Sequence, residues 1–137
     1  MTDEHRALVE RLFEAFNRRD ADAIAALCHE DMEFFAITAE AVGRPDPYIG
    51  PAGLHDYLED VAGVWEELLI TPQRVRDAGE RILVEGRVYL RGREFGIRDM
   101  PAAWIWEVRD GLFARGEVFV DPGEATRRFD PEPSRLG

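Results

Sequence analysis

The sequence predicts an α+β fold in which a strongly curved, antiparallel or mixed sheet wraps around N-terminal helices. Apolar residues recur at three- and four-residue spacing over residues 3–27 and 54–68, which is typical of amphipathic helices. Apolar and polar residues alternate from residue 69 to residue 120, which is typical of strands with one buried face. The chain has 137 residues, the length of one domain. We therefore expect one domain over residues 1–129 and a flexible, Pro-rich tail over 130–137.

The first 27 residues are predicted to form a helical hairpin. Leu8, Leu12 and Phe16 lie on one apolar face of a helix over residues 3–17. The segment 17–19 ends that helix, and Asp20 is placed to cap a short second one.

A strand, a loop and a third helix follow. The strand is expected over residues 31–37, and the loop over 39–51 because that segment is rich in Gly and Pro. One apolar stripe predicts the third helix; it consists of Leu54, Leu58, Val61, Trp65 and Leu68.

Two strands begin the main sheet. The first covers residues 69–76 and contains Pro72, which favours a sheet edge or a bulge because proline has no N–H to donate. The second covers residues 82–90, and Arg91 and Gly92 are predicted to turn the chain.

The last hairpin carries the strongest pattern. A long strand is expected over residues 94–109, with a bulge near Pro101. Asp110-Gly111 turns the chain into a strand over 113–120. Asp121 then has the sequence context of a helix N-cap, with proline next and glutamate three positions on.

The inner face of this hairpin is expected to carry two indoles. Trp104, Trp106 and Val108 should point inward, because Glu107 and Arg109 alternate with them. The apolar set on the partner strand is Ala114, Gly116, Val118 and Val120. Large groups opposite a glycine indicate either a ligand cavity or a packed core.

Composition excludes several classes of function. The net charge of −11 argues against nucleic acid and anionic membranes as partners. All basic residues are arginine, so Schiff-base chemistry on lysine is excluded. Cys28 is the sole cysteine, and no Cys/His cluster has metal-ligand spacing, so we expect no disulfide, metal or other cofactor. The N-terminus lacks the pattern of a signal peptide, and we expect a cytoplasmic protein.

The chain resembles the nuclear transport factor 2-like superfamily, in particular its SnoaL-like branch of polyketide cyclase-like and ketosteroid isomerase-like proteins. The resemblance rests on LFEAFNRRD at 12–20, YIGPAGL at 48–54, VRDGL at 108–112 and FVD at 119–121. It implies a cone-shaped, cystatin-like α+β barrel with a hydrophobic pocket between sheet and helices, in a homodimer joined through a sheet face. Activities in the family include isomerisation, ring closure, epoxide hydrolysis and dehydration, so the fold implies a site without naming a reaction.

The catalytic residues of the best-known relatives are not found at the matching positions. For the isomerase-like members, Phe34 or Ala36 stands near the position of the base, Leu12 near that of the tyrosine and Trp104 at that of the protonated aspartate. For the epoxide hydrolase-like members, Arg98 and Asp99 are direct neighbours rather than spaced by one residue, and Val118 lies near the last-strand aspartate position.

Two residues remain as acid–base candidates. If the long strand is regular, Arg98 shares the inner face with Met100 and Ala102; if it bulges at Pro101, Asp99 turns inward. A carboxyl in an apolar pocket would have a raised pKa suited to proton transfer, whereas an exposed ion pair would have no such role. His55 lies near the start of the third helix and is the second candidate, with a surface role as the alternative.

The sequence therefore predicts a pocket for a flat, hydrophobic, uncharged molecule, such as a polyketide or a steroid-like compound. The proposed lining is Phe13, Phe16, Phe34, Tyr48, Leu58, Trp65, Arg98, Trp104, Trp106 and Val118. If the protein is an enzyme, Asp99 or His55 would transfer the proton. The alternative is a non-catalytic dimerising or ligand-sensing module whose aromatic residues fill the core.

Overall fold

The computed structural model describes residues 2–36, 47–92, 94 and 96–129. Most of the predicted loop over 39–51 and all of the predicted tail over 130–137 lie outside these residues. Within the described residues, four helices and six strands follow in chain order: α1 (Thr2–Arg18), α2 (Ala21–Ala26), β1 (Cys28–Phe35), β2 (Tyr48–Ile49), α3 (Gly50–Val64), β3 (Trp65–Asp77), β4 (Arg81–Gly92), β5 (Gly96–Arg109), β6 (Leu112–Phe119) and α4 (Pro122–Phe129).

The six strands form one curved, open sheet in the order β2-β1-β6-β5-β4-β3. Only the β1–β6 pair is parallel. Helices α1 and α3 pack along its concave side, and α4 covers part of the opposite face. The predicted α+β class, with a mixed, curved sheet around helices, is confirmed.

Helix α1 is joined to the edge strand β3 by one side-chain amide. Asn17 Nδ2 donates to the carbonyl oxygen of Ile70 over 2.9 Å, and Ile70 N donates to Asn17 Oδ1 over 2.8 Å. The amide thus satisfies both backbone groups of Ile70, as a neighbouring strand would. In the turn between α1 and α2, Asp20 caps α2 as predicted: its side-chain oxygen accepts a hydrogen bond from Ala23 N over 3.1 Å.

The boundary between the third helix and the sheet differs from the prediction. Helix α3 ends at Val64, and Trp65 and Leu68 belong to β3. Strand β3 shifts register between Trp65 and Glu67, so residues there do not alternate regularly between the two faces. The spacing of Trp65 and Leu68 in the apolar stripe therefore also fits a helix that passes into a strand. Trp65 is already extended and opposite Gly92, so pairing with β4 ends the helix.

Further differences occur around the first strand. Strand β1 begins at Cys28, three residues before the predicted start, and the predicted loop contains the short strand β2. Helix α3 starts at Gly50, inside the predicted loop. Gly50 has a φ of +67°, and a Cβ there would overlap the carbonyl oxygen of Glu30, so only glycine fits this junction.

The long strand β5 does not bulge at Pro101, contrary to expectation. Its pairing with β4 runs without a register shift from Glu107 to Gly96, and Pro101 lies opposite Arg87. Within the described residues β6 pairs with β5 only from Ala103 onward, so Pro101 has a strand on one side and needs no bulge for its missing N–H. Arg91 and Gly92 still belong to β4, and Gly92 pairs with Gly96 of β5. The chain therefore does not turn at 91–92 as predicted.

A bulge occurs instead in β6, where Ala114 has no partner on β5. Val108 lies opposite Phe113, and Glu107 opposite Arg115. Phe113 therefore takes the inward position that was predicted for Ala114. Gly116 and Val118 point inward as predicted, whereas Val120 lies beyond the strand and is 55% exposed.

The centre of the concave side is filled by aromatic rings around Trp106. Phe34 stacks on the indole with ring centroids 5.7 Å apart and an interplanar angle of 8°. Phe13 and Phe113 approach it at 6.1 and 5.2 Å. Gly116 also lies against the indole, since a Cβ there would overlap Cζ3 and Cε3 of Trp106. These rings form the aromatic core of the protein.

Replacing Gly116 by alanine is expected to destabilise the protein by about 1–3 kcal/mol, because the added methyl must displace a fully buried indole in a close-packed core. Chemical denaturation of the variant measures this. Gly63→Ala in α3 is the matched control, since its Cβ would meet nothing within 4 Å and alanine favours helix. Equal stability of the two variants would contradict the described packing.

The N-terminal turn of α1 is joined to the end of β3 by a side-chain hydrogen bond between His5 and Asp77. His5 Nδ1 lies 2.9 Å from Asp77 Oδ2, and Gly79 N donates to Asp77 Oδ1 over 2.8 Å. Burial raises the pKa of the Asp77 carboxyl, but the hydrogen bonds from His5 and Gly79 outweigh it and leave the pKa below its usual value. The ionised carboxylate therefore stabilises the fold.

Asp77→Asn is expected to lower the free energy of unfolding by about 1 kcal/mol at pH 7. Because the pKa of Asp77 is lower in the folded protein, its ionised carboxylate stabilises the fold at pH values above the unfolded pKa of 3.8. This contribution is lost as the pH falls through the folded pKa. The difference between variant and wild type should thus shrink as the pH falls below 3.8 and through the folded pKa of Asp77. Thermal unfolding between pH 2.5 and 7 tests this. Asp56→Asn, at an exposed position of α3, is the control.

Candidate functional site

A small apolar cavity lies beside the aromatic core, between α3 and the concave face of the sheet. Its enclosed volume is about 30 Å³, enough for roughly two water molecules. The lining residues come from α3, from strands β3 to β6 and from the residue that follows β1: Ala36, Tyr57, Trp65, Leu68, Ile70, Val88, Leu90, Trp104 and Val118. All but Tyr57 and the two tryptophans are purely aliphatic.

Cross-strand pairing builds the wall of the cavity. Leu68 lies opposite Leu90, and Ile70 opposite Val88, so β3 and β4 present one aliphatic surface. Trp104 of β5 adds an indole that is 2% exposed. Ala36, Leu68 and Val118 are the half-buried residues of the lining, and we call this more accessible part of it the mouth of the cavity.

Tyr57 is the one lining residue that comes from a helix. Its ring edge meets the faces of Phe34 and Phe16 at 5.0 and 5.7 Å, and Tyr48 at 5.3 Å. These contacts hold the side chain in one position. Burial raises the pKa of the Tyr57 phenol, so the hydroxyl is protonated at neutral pH.

Three of the predicted pocket residues, Trp65, Trp104 and Val118, line the cavity. The others lie elsewhere. Phe13, Phe16, Phe34 and Trp106 belong to the aromatic core. Tyr48 is buried beneath Tyr57, and its hydroxyl donates to Asp60 Oδ2 over 2.8 Å. Leu58 lies on a shallow surface groove with Arg19, and Arg98 is exposed near the start of β5.

The two acid–base candidates also lie outside the cavity lining. Because β5 has no bulge at Pro101, Asp99 is on the convex face, where Arg87 Nε lies 3.0 Å from its Oδ1 and its side chain is 58% exposed. His55 is 57% exposed on α3, with Nε2 3.5 Å from Asp22 Oδ1. Asp121 is a helix cap as predicted, since its Oδ1 accepts from Gly123 N over 2.9 Å.

Sequence reasoning missed Tyr57 and the aliphatic wall of β3 and β4. Tyr57 lies three residues after Leu54 and four before Val61, so the apolar spacing of α3 already included it. Alternation within each strand predicts which residues of β3 and β4 point inward. Whether they meet around one cavity depends on the register between the strands, which alternation does not give.

No group of three or more His, Cys, Asp or Glu side chains suited to a metal is found among the described residues. The same part of the chain contains no helix that is both long enough and apolar enough to cross a membrane.

A family model decides the relationship of this chain to known proteins. The model of the SnoaL-like domain matches residues 9–116. The chain belongs to the SnoaL-like family. The match runs from the middle of α1 into β6, and so includes every lining residue of the cavity except Val118. No curated protein matches the sequence.

Solved structures of SnoaL-like and related proteins share the fold at low sequence identity. An NTF2-like protein of unknown function from Burkholderia pseudomallei is 21% identical, with a TM-score of 0.78 over 94% of this chain and 98% of that one. TerC, crystallised with polyporic acid, is 22% identical, with a TM-score of 0.77 over 93% and 98%. A putative polyketide cyclase from Xanthomonas campestris is 24% identical, with a TM-score of 0.69 over 88% and 93%.

The position of Asp99 on the convex face leads to a stability prediction. An exposed ion pair contributes little, so Asp99→Asn should change the free energy of unfolding by no more than about 0.5 kcal/mol. Thermal unfolding at low and moderate ionic strength is the measurement. A large loss of stability would place this carboxyl in a buried environment instead.

Proposed function

We propose that this SnoaL-like protein binds a small hydrophobic molecule with at least one ring in the cavity beside Trp104. The observation that carries the proposal is an apolar cavity with a half-buried, aliphatic mouth, in a fold whose core is otherwise filled. Concave apolar sites between sheet and helices are where small ligands bind in general.

The size of the cavity limits how a ligand enters. An enclosed volume of about 30 Å³ admits the edge of a ring rather than a whole ring system. The remainder of the molecule would lie against the half-buried side chains of Ala36, Leu68 and Val118 at the mouth. Flat molecules suit this arrangement because they slide between the indole of Trp104 and the helix without moving the sheet.

The proposal is for binding and does not extend to acid–base catalysis. Among the described residues the lining contains no carboxylate, imidazole or guanidinium, and the one titratable group there is the Tyr57 phenol, whose pKa is raised by burial. Proton abstraction needs a base within hydrogen-bond reach of the substrate. Asp99 and His55 lie outside the lining, so neither is assigned that role here.

Two of the structural neighbours were crystallised with small molecules: TerC with polyporic acid, and a ketosteroid isomerase-like protein from Catenulispora acidiphila with trimethylamine. At 22% and 14% identity these likenesses concern the fold alone. They support the choice of a small-molecule site over a macromolecular one.

A specific observation favours a second candidate, a non-catalytic dimerising module with a filled core. The rings around Trp106 leave no space in the centre of the concave side, and the remaining cavity is small. In that case the aromatic residues would serve stability, and association would take place through a sheet face.

Val118→Phe should abolish binding of ring compounds, because the larger side chain occupies the mouth of the cavity. Val120→Phe is the matched control: the same substitution two residues further on, at a position 55% exposed and outside the lining, should bind like wild type. Isothermal titration with naphthalene, indane and 1-indanone measures the affinity of each protein. Lack of binding of any compound to folded wild type would favour the filled-core module.

A further inference from the structure

We propose that Arg98 binds an acidic group of the ligand beside the mouth of the cavity, while the ring of the ligand occupies the cavity itself. This inference rests on the proposed function and adds the chemical class of the ligand: a small, flat ring compound that carries a carboxylate.

The register of β5 places Arg98 on the same side of the sheet as the cavity. Successive residues of a strand alternate between its faces, and β5 pairs with β4 without a shift, so Arg98 shares the concave side with Trp104 and Met100. Arg98 lies directly opposite Leu90, and Leu90 lies opposite Leu68. Both leucines line the cavity, and Leu68 belongs to its mouth. Because directly opposite Cβ atoms of antiparallel strands are about 4.5–5.5 Å apart, Arg98 borders the cavity wall.

The guanidinium of Arg98 is exposed and has no partner within the described part of the chain. It takes part there in no ion pair, hydrogen bond or ring contact. The other arginines of strands β3 to β6 are engaged. Arg81 donates to two carbonyl oxygens of α4, and Arg76 lies over the ring of Phe129. The remaining ones form ion pairs with carboxylates: Arg74, Arg87, Arg91, Arg109 and Arg115.

Carboxylates of the protein close to Arg98 in sequence or in the sheet are held by other arginines. Asp99 lies on the convex face with Arg87. Glu66 and Glu67, at the start of β3, lie 2.9 and 3.1 Å from nitrogens of Arg91. The net charge of −11 is distributed over the whole chain, and at physiological ionic strength exposed charges more than about 8 Å apart are largely screened. The unpaired guanidinium therefore decides the local attraction for an anion at this edge of the cavity.

The chemistry of a guanidinium defines the complementary group. It is always charged and presents its N–H donors in a planar fork that matches the two oxygens of a carboxylate. Hydrogen bonds between two charged groups are about twice as strong as neutral ones, so a carboxylate is favoured over an amide at this position.

The cavity itself requires that the charge stay outside it. Among the described residues of the lining none is charged, so a carboxylate that entered the cavity would lose its hydration without gaining a counter-ion. A carboxylate on the outer edge of a flat ring avoids this cost. The far edge of the ring then enters the cavity, and the acid stays beside Arg98 in contact with water.

The test compares three probes with one ring skeleton: naphthalene, 2-naphthamide and 2-naphthoate. In isothermal titrations at neutral pH, wild type should bind 2-naphthoate about tenfold tighter than 2-naphthamide, because only the acid forms charge-assisted hydrogen bonds. Arg98→Gln should remove this preference and leave the affinity for 2-naphthamide within about twofold. Arg98→Lys, which keeps the charge and loses the fork, should show an intermediate preference.

Two further variants control for net charge and for the place of binding. Arg87→Gln removes one positive charge from the convex face and should retain the full preference for 2-naphthoate. Val118→Phe, which occupies the mouth, should abolish binding of 2-naphthoate together with that of naphthalene. Binding of 2-naphthoate that survives Val118→Phe would mean that the anion binds away from the cavity, and would overturn the inference.

A spectroscopic readout separates direct contact from an indirect effect. In ¹⁵N-labelled protein at mildly acidic pH, the Nε–H resonance of Arg98, assigned through Arg98→Lys, should shift with 2-naphthoate and not with 2-naphthamide. The indole N–H resonance of Trp104, assigned through Trp104→Phe, should shift with both, because both compounds place a ring in the cavity. The same spectra show whether each variant is folded.

The outcomes separate the two proposals. Equal affinity for 2-naphthoate and 2-naphthamide, or a preference that survives Arg98→Gln, would overturn the role of Arg98 and leave the binding of ring compounds intact. Binding of no probe to folded wild type would overturn the proposed function itself, and the role of Arg98 with it.

Discussion

The position of the Trp106 indole over Gly116 is the constraint on which the rest of the structure depends. The missing Cβ of Gly116 lets the ring lie directly on β6, where Phe34 stacks on it. This fills the centre of the concave side, which in an open curved sheet would otherwise be its largest empty space. The cavity is consequently displaced toward β3 and β4, where Trp104 and Tyr57 meet it.

Two further contacts keep the helices in register with the sheet. Asn17 satisfies both backbone groups of Ile70 on the edge strand, and His5 pairs with Asp77 at the far end of that strand. Helix α1 therefore lies along β3 and protects an edge that would otherwise offer free hydrogen-bonding groups. Since Ile70 also lines the cavity, the amide that anchors α1 positions part of the candidate site as well.

The two faces of strand β5 carry different kinds of side chain, because successive residues of a strand point to opposite faces. Its concave side carries Trp104 and Trp106, and its convex side carries Asp99 in an ion pair with Arg87. A bulge at Pro101 would have turned Asp99 toward the cavity and placed a carboxyl beside the ligand. Because pairing with β4 is uninterrupted, this carboxyl stays on the convex face, and the concave side of β5 beside the cavity stays apolar.

The sequence by itself determined the α+β class, the helical hairpin, the inward set of Trp104, Trp106 and Val108, and the Asp20 and Asp121 caps. These features arise from periodicity and from side chains that act on their own backbone. Three features required the folded structure: the end of α3 at Val64, the unbulged course of β5 past Pro101, and the exchange of Ala114 for Phe113. Each of these depends on which strand pairs with which, and in what register. Pairing energy is shared between segments far apart in the chain, so no local pattern contains it.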